Sequence, residues 1–292
     1  MVWNAFMENE EVQTLTNTSI PKEIDHKNSQ TWSKMGIELW KMKKYFESMQ
    51  CFEKALVIDQ DNYDALIYKS RILFSQKKIR ESVVCLDKIL KKHPNAIEVL
   101  HLKGTRNAAW LGNVRVAIEC FEKVLKNKPD HSMSAYWLTQ VLSDYGKFEE
   151  ALDVANKLLK IKPDSDPLNY CKIHILGNLE RFEEQIFACD LWLENEPTAK
   201  AIMHTKANAL ANLKKFKEAV IWYDNAWRLH KNFYGLENKR RALEAIKTGK
   251  VSDLPFTYHY DGKKFDFLIL YNSWDEKTKM WKIRREEMGN NQ

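Results

Sequence analysis

Pro94, Pro129, Pro163 and Pro197 fall at intervals of 35, 34 and 34 residues, and each closes a segment that reads as a pair of helices. A fixed period of that length is the mark of a solenoid, whose repeats stack because none can bury its apolar face alone. The period constrains the fold more than any single residue does. It fills the chain with helix pairs and commits most side chains to stacking, so the architecture is more legible than the ligand.

Numbering each repeat so that its proline is position 32 gives six repeats, 29–62, 63–96, 97–131, 132–165, 166–199 and 200–232. Position 8 is small in five of them, as Gly36, Ser70, Gly104, Thr139 and Ala207, which is what the close approach of two helices requires. Position 20 is likewise small, as Ser48, Ser82, Ala117, Ala151 and Ala219. Position 24 carries the plug, as Phe52, Leu86, Phe121, Ala155, Cys189 and Tyr223, so small and large side chains alternate as interlocking helices need. The third repeat holds one extra residue near 110–113, expected to be absorbed by a surface turn. The fifth departs most, with Ile173 at position 8, Gln185 at position 20 and Trp192 at position 27.

In the first repeat Trp32 is followed by Met35 and Gly36, then by Ser48, Phe52 and Ala55. This is close to W-x2-L-G, then A-x3-F-x2-A, then P, and the array resembles the tetratricopeptide-repeat (TPR) family. The closing proline of that repeat is missing, since Gln60 stands there, and the fourth repeat matches best, with Tyr145-Gly146-Lys147-Phe148-Glu149-Glu150-Ala151 joining its helices. The resemblance implies an all-α, right-handed α-solenoid of about six helix pairs.

The ends differ from the array. Residues 1–28 are mostly polar, with Trp3, Phe6 and Met7 the only large apolar cluster, and are expected to be flexible, with no apolar leader. Residues 233–250, with Leu236, Leu243 and Ile246 and a stop at Gly249, read as a terminal capping helix. Asp166 with Pro167, and Thr198, read as helix caps. Residues 251–292 read as a small β appendage: a hairpin of 256–260 and 265–271 about the turn Asp261-Gly262, with a third strand around Trp281.

Composition excludes more than it assigns. A net charge of +6 over 292 residues is too small an excess to argue for nucleic acid. Lys54, Lys88, Lys123 and Lys157 share position 26 and read as a solvated ladder. Lys69, Lys103, Lys172 and Lys206 share position 7; their stems are expected along the seam between repeats, and heads reaching the concave face would favour an acidic partner. Cys51, Cys85 and Cys120 repeat at position 23, about 10 Å apart by helix-packing distances, too far for disulfides, and read as apolar fillers in a reducing, cytoplasmic setting. No metal-ligand spacing, phosphate loop or nucleophile motif occurs, so no metal, cofactor or catalytic residue is assigned and the chain reads as a non-enzyme.

The TPR resemblance implies a concave channel lined by the first helix of each repeat. Carried over by position, the channel presents Arg71, Thr105, Tyr136, Gln140, Tyr170, His174, His204 and Asn208, with Tyr68 and Trp137 beside it. Tyrosine, histidine and amides suit a peptide with mixed anchors. The chaperone-docking branch of the family needs a basic residue and asparagine at positions 5 and 9 of its first repeat; Ser33 and Ile37 stand there, which argues against an acidic chaperone tail. The leading expectation is a non-catalytic scaffold that takes a segment of a partner protein in its groove, without membrane insertion. Two alternatives are a structural or self-assembling subunit using the β appendage, and single-stranded RNA binding of the pentatricopeptide kind.

Overall fold

The computed structural model describes residues 28–229, 235–251 and 255–256, together with two short strands at 274–275 and 280–281. The described chain is helical and runs in repeating pairs: α1 (Ser29–Lys41) with α2 (Tyr45–Ile58), α3 (Tyr63–Ser75) with α4 (Ile79–Lys92), and α5 (Ile97–Arg106) followed by a π turn (Asn107–Leu111). These form a first compact block, residues 1–113. The second block, 114–292, holds α6 (Val114–Asn127), α7 (Ser132–Asp144) with α8 (Phe148–Ile161), α9 (Asp166–Asn178) with α10 (Phe182–Asn195), α11 (Lys200–Asn212) with α12 (Phe216–Leu229), and α13 (Leu236–Thr248). Within each block successive helices pack on one another, and no described helix is long and apolar enough to cross a membrane.

The turn between the two helices is built the same way in five of the six repeats. Position 15 takes a left-handed backbone at Lys43, Lys77, Gly146, Glu180 and Lys214, with φ of 62°, 62°, 72°, 56° and 61°. The residue's own N–H and the next one turn back to the helix just ended, as in Lys43 N to Trp40 O and Lys44 N to Leu39 O, both 2.9 Å. This closes the orphan carbonyls of the helix end. The fourth repeat uses glycine there, as the third does with Gly112; the other four hold a side chain where a Cβ is disfavoured by about 1 kcal/mol. Lys77 is exposed and in no ion pair among the described residues. Lys77→Gly is therefore expected to raise stability by about 0.5–1 kcal/mol, read as a higher urea midpoint at unchanged slope.

The interlock of positions 8, 20 and 24 is as the pattern predicts, and it carries a hydrogen bond as well. Ser48 Oγ donates to the carbonyl of Gly36 at 2.8 Å, and Ser82 Oγ to that of Ser70 at 2.5 Å. Phe52, Leu86, Phe121, Ala155, Cys189 and Tyr223 are all fully buried. The fifth repeat keeps this bond with other residues. Gln185 Nε2 donates to Ile173 O at 2.9 Å, and room for its longer side chain comes from Gly177, where an added Cβ would stand 2.5 Å from that nitrogen. The glycine has moved from position 8 to position 12 to admit a glutamine at position 20.

The extra residue of the third repeat is not absorbed by a surface turn. It widens the last turn of the first helix into a π turn: the N–H of Gly112, at φ 65°, returns to Asn107 O. Asn107 is buried and braces the bulge, donating through Nδ2 to Lys103 O at 2.9 Å and accepting from Asn113 Nδ2 at 3.1 Å. Trp110 is thereby set edge-on to Phe74, centroids 4.8 Å apart. An in-helix bulge keeps backbone groups bonded, which an open loop would not.

Two helix starts are shifted by a residue. Ser165, not Asp166, caps α9, so Asp166 and Pro167 lie in its first turn; α11 starts after Ala199, and Thr198 is not its cap. Helix α13 ends at Gly249 and faces the core with Ala242 and Ala245, while Leu236, Leu243 and Ile246 stay exposed. Beyond it Phe256 returns to the array: its N–H donates to Asn212 Oδ1 at 2.8 Å, its carbonyl accepts from Asn212 Nδ2 at 2.9 Å, and its ring lies 4.4 Å from the Arg241 guanidinium. Trp274–Asp275 pairs antiparallel with Met280–Trp281. The strands expected at 257–260 and 265–271, and the segment 1–27, lie outside the described residues.

Candidate functional site: the first-helix face

Positions 5 and 9 of successive first helices in the second block carry matched pairs. On α7, Gln140 Nε2 donates to Tyr136 Oη at 3.3 Å; on α9, the Tyr170 and His174 rings stand 4.4 Å apart, and Tyr170 also meets Trp192 at 6.1 Å. The i, i+4 spacing puts each pair on one helix face. Tyr136, Gln140, Tyr170 and His174 are all half-buried. Burial pushes the Tyr136 hydroxyl up to about 12 and holds His174 down to about 4, so both are neutral at pH 7.

The third pair has a different fate. His204 and Asn208 are in the core, 3% and 6% exposed. Asn208 Oδ1 accepts from Tyr223 Oη at 2.7 Å and from Asn238 Nδ2 at 3.0 Å, and its Nδ2 faces His204 Nδ1 at 3.4 Å. This polar knot ties α11, α12 and α13 together. Trp137 is also core, 5% exposed and stacked with Phe121 at 6.5 Å, so of the residues assigned to α7 only Tyr136 and Gln140 remain at the face.

In the first block Tyr68 stacks on Phe52 at 5.6 Å and meets Trp40 edge-on at 5.2 Å, while the Arg71 guanidinium lies 5.4 Å and 5.8 Å from those two outer rings. Arg71 pairs with Glu98. Thr105 Oγ1 donates to Leu102 O at 3.0 Å, a helix-internal bond. Ser33 is buried and donates to Asn62 Oδ1 at 2.8 Å, where Asn62 also caps α3. Nothing in the repeat pattern singles out Arg106. It is 2% exposed, bonded to Ser70 Oγ at 3.0 Å, set 5.0 Å from the Phe74 ring, and in no ion pair among the described residues. Burial, with Arg71 nearby, lowers it to about 10.

Three of the four position-7 lysines are held in the seam between repeats. Lys69 pairs with Glu53 at 3.1 Å, Lys103 with Asp87 at 2.6 Å, and Lys206 with Asp190, each acid being position 25 of the preceding repeat. The ammonium is held in the seam because the carboxylate is there, which removes the acidic-partner reading of these lysines. All five cysteines are buried thiols, and burial raises Cys171 and Cys189 to about 12. Among the described residues no group of three His, Cys, Asp or Glu side chains is placed to hold a metal ion.

The repeated helix pair and its left-handed inter-helix turn define a helical-repeat protein. Tetratricopeptide-repeat family models match residues 29–62 and 106–166. Among solved structures the chain is similar to YrrB, described as a TPR protein with an unusual peptide-binding site, at 18% identity and TM-score 0.56, covering 67% of this chain and 97% of that one. It is also similar to a tetratricopeptide-repeat protein from Parabacteroides merdae, at 13% identity and TM-score 0.57, covering 76% and 93%. A MamA RS-1 double mutant aligns at 21% identity and TM-score 0.54, covering 59% and 96%. No curated protein sequence matches significantly. Residues 29–62 and 106–166 are thus matched as tetratricopeptide repeats, a repeat that generally mediates protein–protein interaction and is typically non-catalytic.

Proposed function

We propose that the chain is a non-catalytic scaffold that binds an extended or helical segment of a partner protein on the first-helix face of its second block. The observation that carries this is the repetition at one register of an aromatic and a polar side chain, Tyr136 with Gln140 and Tyr170 with His174. Aromatic anchors give contact area at low entropy cost, and the neutral amide and imidazole give hydrogen bonds without charge desolvation. A peptide laid across α7 and α9 meets the same chemistry twice.

The test is affinity capture from native lysate, nuclease-treated and untreated, with the full chain and with the Tyr136→Ala/Tyr170→Ala double variant. A discrete protein set is expected to survive nuclease and to be depleted at least tenfold by the double variant, whose circular dichroism melt stays cooperative. Equal retention by the folded variant would remove the face from the reading, and retention that vanishes with nuclease would replace it with the RNA alternative.

A further inference from the structure

The seam between the fourth and fifth repeats has a position-7 lysine but departs from the three seams where that lysine is ion-paired. Lys172 stands at position 7, but position 25 of the preceding repeat is Asn156, so the cross-seam ion pair of Lys69, Lys103 and Lys206 has no counterpart there. In its place lies a cleft of about 940 Å³ over α9, walled by the end of α8 and by α10. Its α9 residues, Asp166, Asn169, Lys172 and Leu176, follow helical spacing along a different face from Tyr170 and His174, and the two faces touch through the Tyr170–Trp192 ring contact.

At position 26 the α10 wall is apolar where the equivalent helices are polar, and at position 22 it carries a ring where the others have Gln50, Val84, Glu119, Asp153 and Ile221. Phe187 and Leu191 are one turn apart and 64% and 48% exposed. Position 22 is Asp153 in the fourth repeat, and position 26 is Lys54, Lys88, Lys123 and Lys157 in the first four; here these are Phe187 and Leu191. Trp192 completes the wall, its Nε1 donating to Glu196 at 3.0 Å. The rim is acidic: Asp166, Glu183, Glu184 and Glu196 line the cleft against the one cation, Lys172, in a chain that is otherwise net positive. Arg181 holds Glu184, leaving Glu183 in no ion pair among the described residues. Burial, with Glu196 and Asp164 beside it, raises the Asp166 carboxyl.

We propose that this cleft is a second docking site, and that its occupant is a segment of a partner protein in which bulky apolar side chains alternate with lysine or arginine. The apolar residues would seat against Phe187, Leu191 and Trp192, and the cations would meet Glu183, Asp166 and Glu196. Charge complementarity selects this occupant over an acidic or purely apolar one, because desolvating unpaired carboxylates against an apolar ligand opposes binding.

The experiment is fluorescence anisotropy with two labelled nine-residue probes, one alternating lysine with leucine and tryptophan and one with glutamate in place of lysine. The full chain is titrated as wild type, Leu191→Lys and Glu183→Lys. Both substitutions are at exposed positions, and retained helical signal and melt confirm folding. The lysine probe is expected to bind and the glutamate probe not. Either substitution is expected to weaken the lysine probe at least tenfold, and raising salt from 50 to 300 mM to weaken it further. Tyr136→Ala, on α7 and outside the cleft lining, is expected to leave the affinity unchanged. Absence of binding, equal binding of both probes, or wild-type affinity in both folded variants would overturn the proposal. Wild-type chain that dimerises where Leu191→Lys is monomeric would assign the cleft to a second copy and overturn it too.

Discussion

Phe52→Ala is expected to lower the stability of the first block by about 3–5 kcal/mol, the largest loss of any single substitution argued from its packing. The ring is fully buried, stacks on Tyr68 of the next repeat, and lies over Gly36 so closely that a Cβ there would stand 2.6 Å from it. Its removal empties both the interior of the first repeat and the seam to the second. Gly36→Ala attacks the same contact from the other side and is expected to cost about 1–3 kcal/mol as overpacking, since a fully buried ring has little room to retreat. The two are coupled through one space, so Gly36→Ala is expected to cost much less in a Phe52→Leu background than in the wild type. Urea titrations of the four chains measure this; strict additivity would mean that the ring and the glycine do not share the contact.

That contact was legible in the sequence because helix-pair geometry permits few solutions. A small residue at position 8 and a large one at position 24 recur with the proline period, and the structure puts all six plugs inside. What was not legible is how the helices repair an exception. The fifth repeat looks defective by pattern, yet Gln185 supplies the bond that Ser48 and Ser82 make, and Gly177 makes room for it. Compensation between positions 8, 12 and 20 is a fact of three dimensions, invisible to a register that scores each position alone. The π turn of the third repeat was missed for a similar reason. A one-residue insertion fits a loop or a helix bulge equally well in sequence, and the choice fell to Asn107, whose side chain can bond both ends of the bulge.

The candidate site was legible only as a register. Positions 5 and 9 are the same distance along every first helix, but Tyr136 and Tyr170 stay at the face while His204 is drawn into the core. The difference lies in the neighbours: Tyr223 and Asn238 reach Asn208 from two other helices and close over it. The seam lysines show the converse, since their destination was fixed by acids a dozen or more residues upstream that the single-helix reading did not pair with them. The cleft over α9 follows from the same rule, at the one position-7 lysine whose upstream acid is replaced by Asn156.

The polar knot makes the second block sensitive to mild acid. Asn208 spends its oxygen on Tyr223 and Asn238, so its NH2 is turned to His204 Nδ1, which must then be the acceptor of a neutral ring. Protonation would set two donors face to face in a site 3% exposed, and burial holds His204 down to about 4 against 6.5 for the free side chain. The native value is the lower one, so the unfolded chain takes up the proton first. Stability is therefore complete above pH 6.5 and falls as the pH drops toward 4. For His204 alone the loss is about 2 kcal/mol by pH 5, rising to about 3 kcal/mol below pH 4. His174, whose Nε2 is enclosed although part of its ring is not, adds to the loss over the same window. Most carboxylates titrate lower, which leaves pH 5–6.5 to the histidines. His204→Gln is expected to be less stable than wild type at pH 7, because it disturbs the knot, but to lose about 2 kcal/mol less between pH 7 and pH 5. Urea midpoints at those two pH values decide the matter: parallel losses in the variant and the wild type would show that His204 does not carry the acid sensitivity.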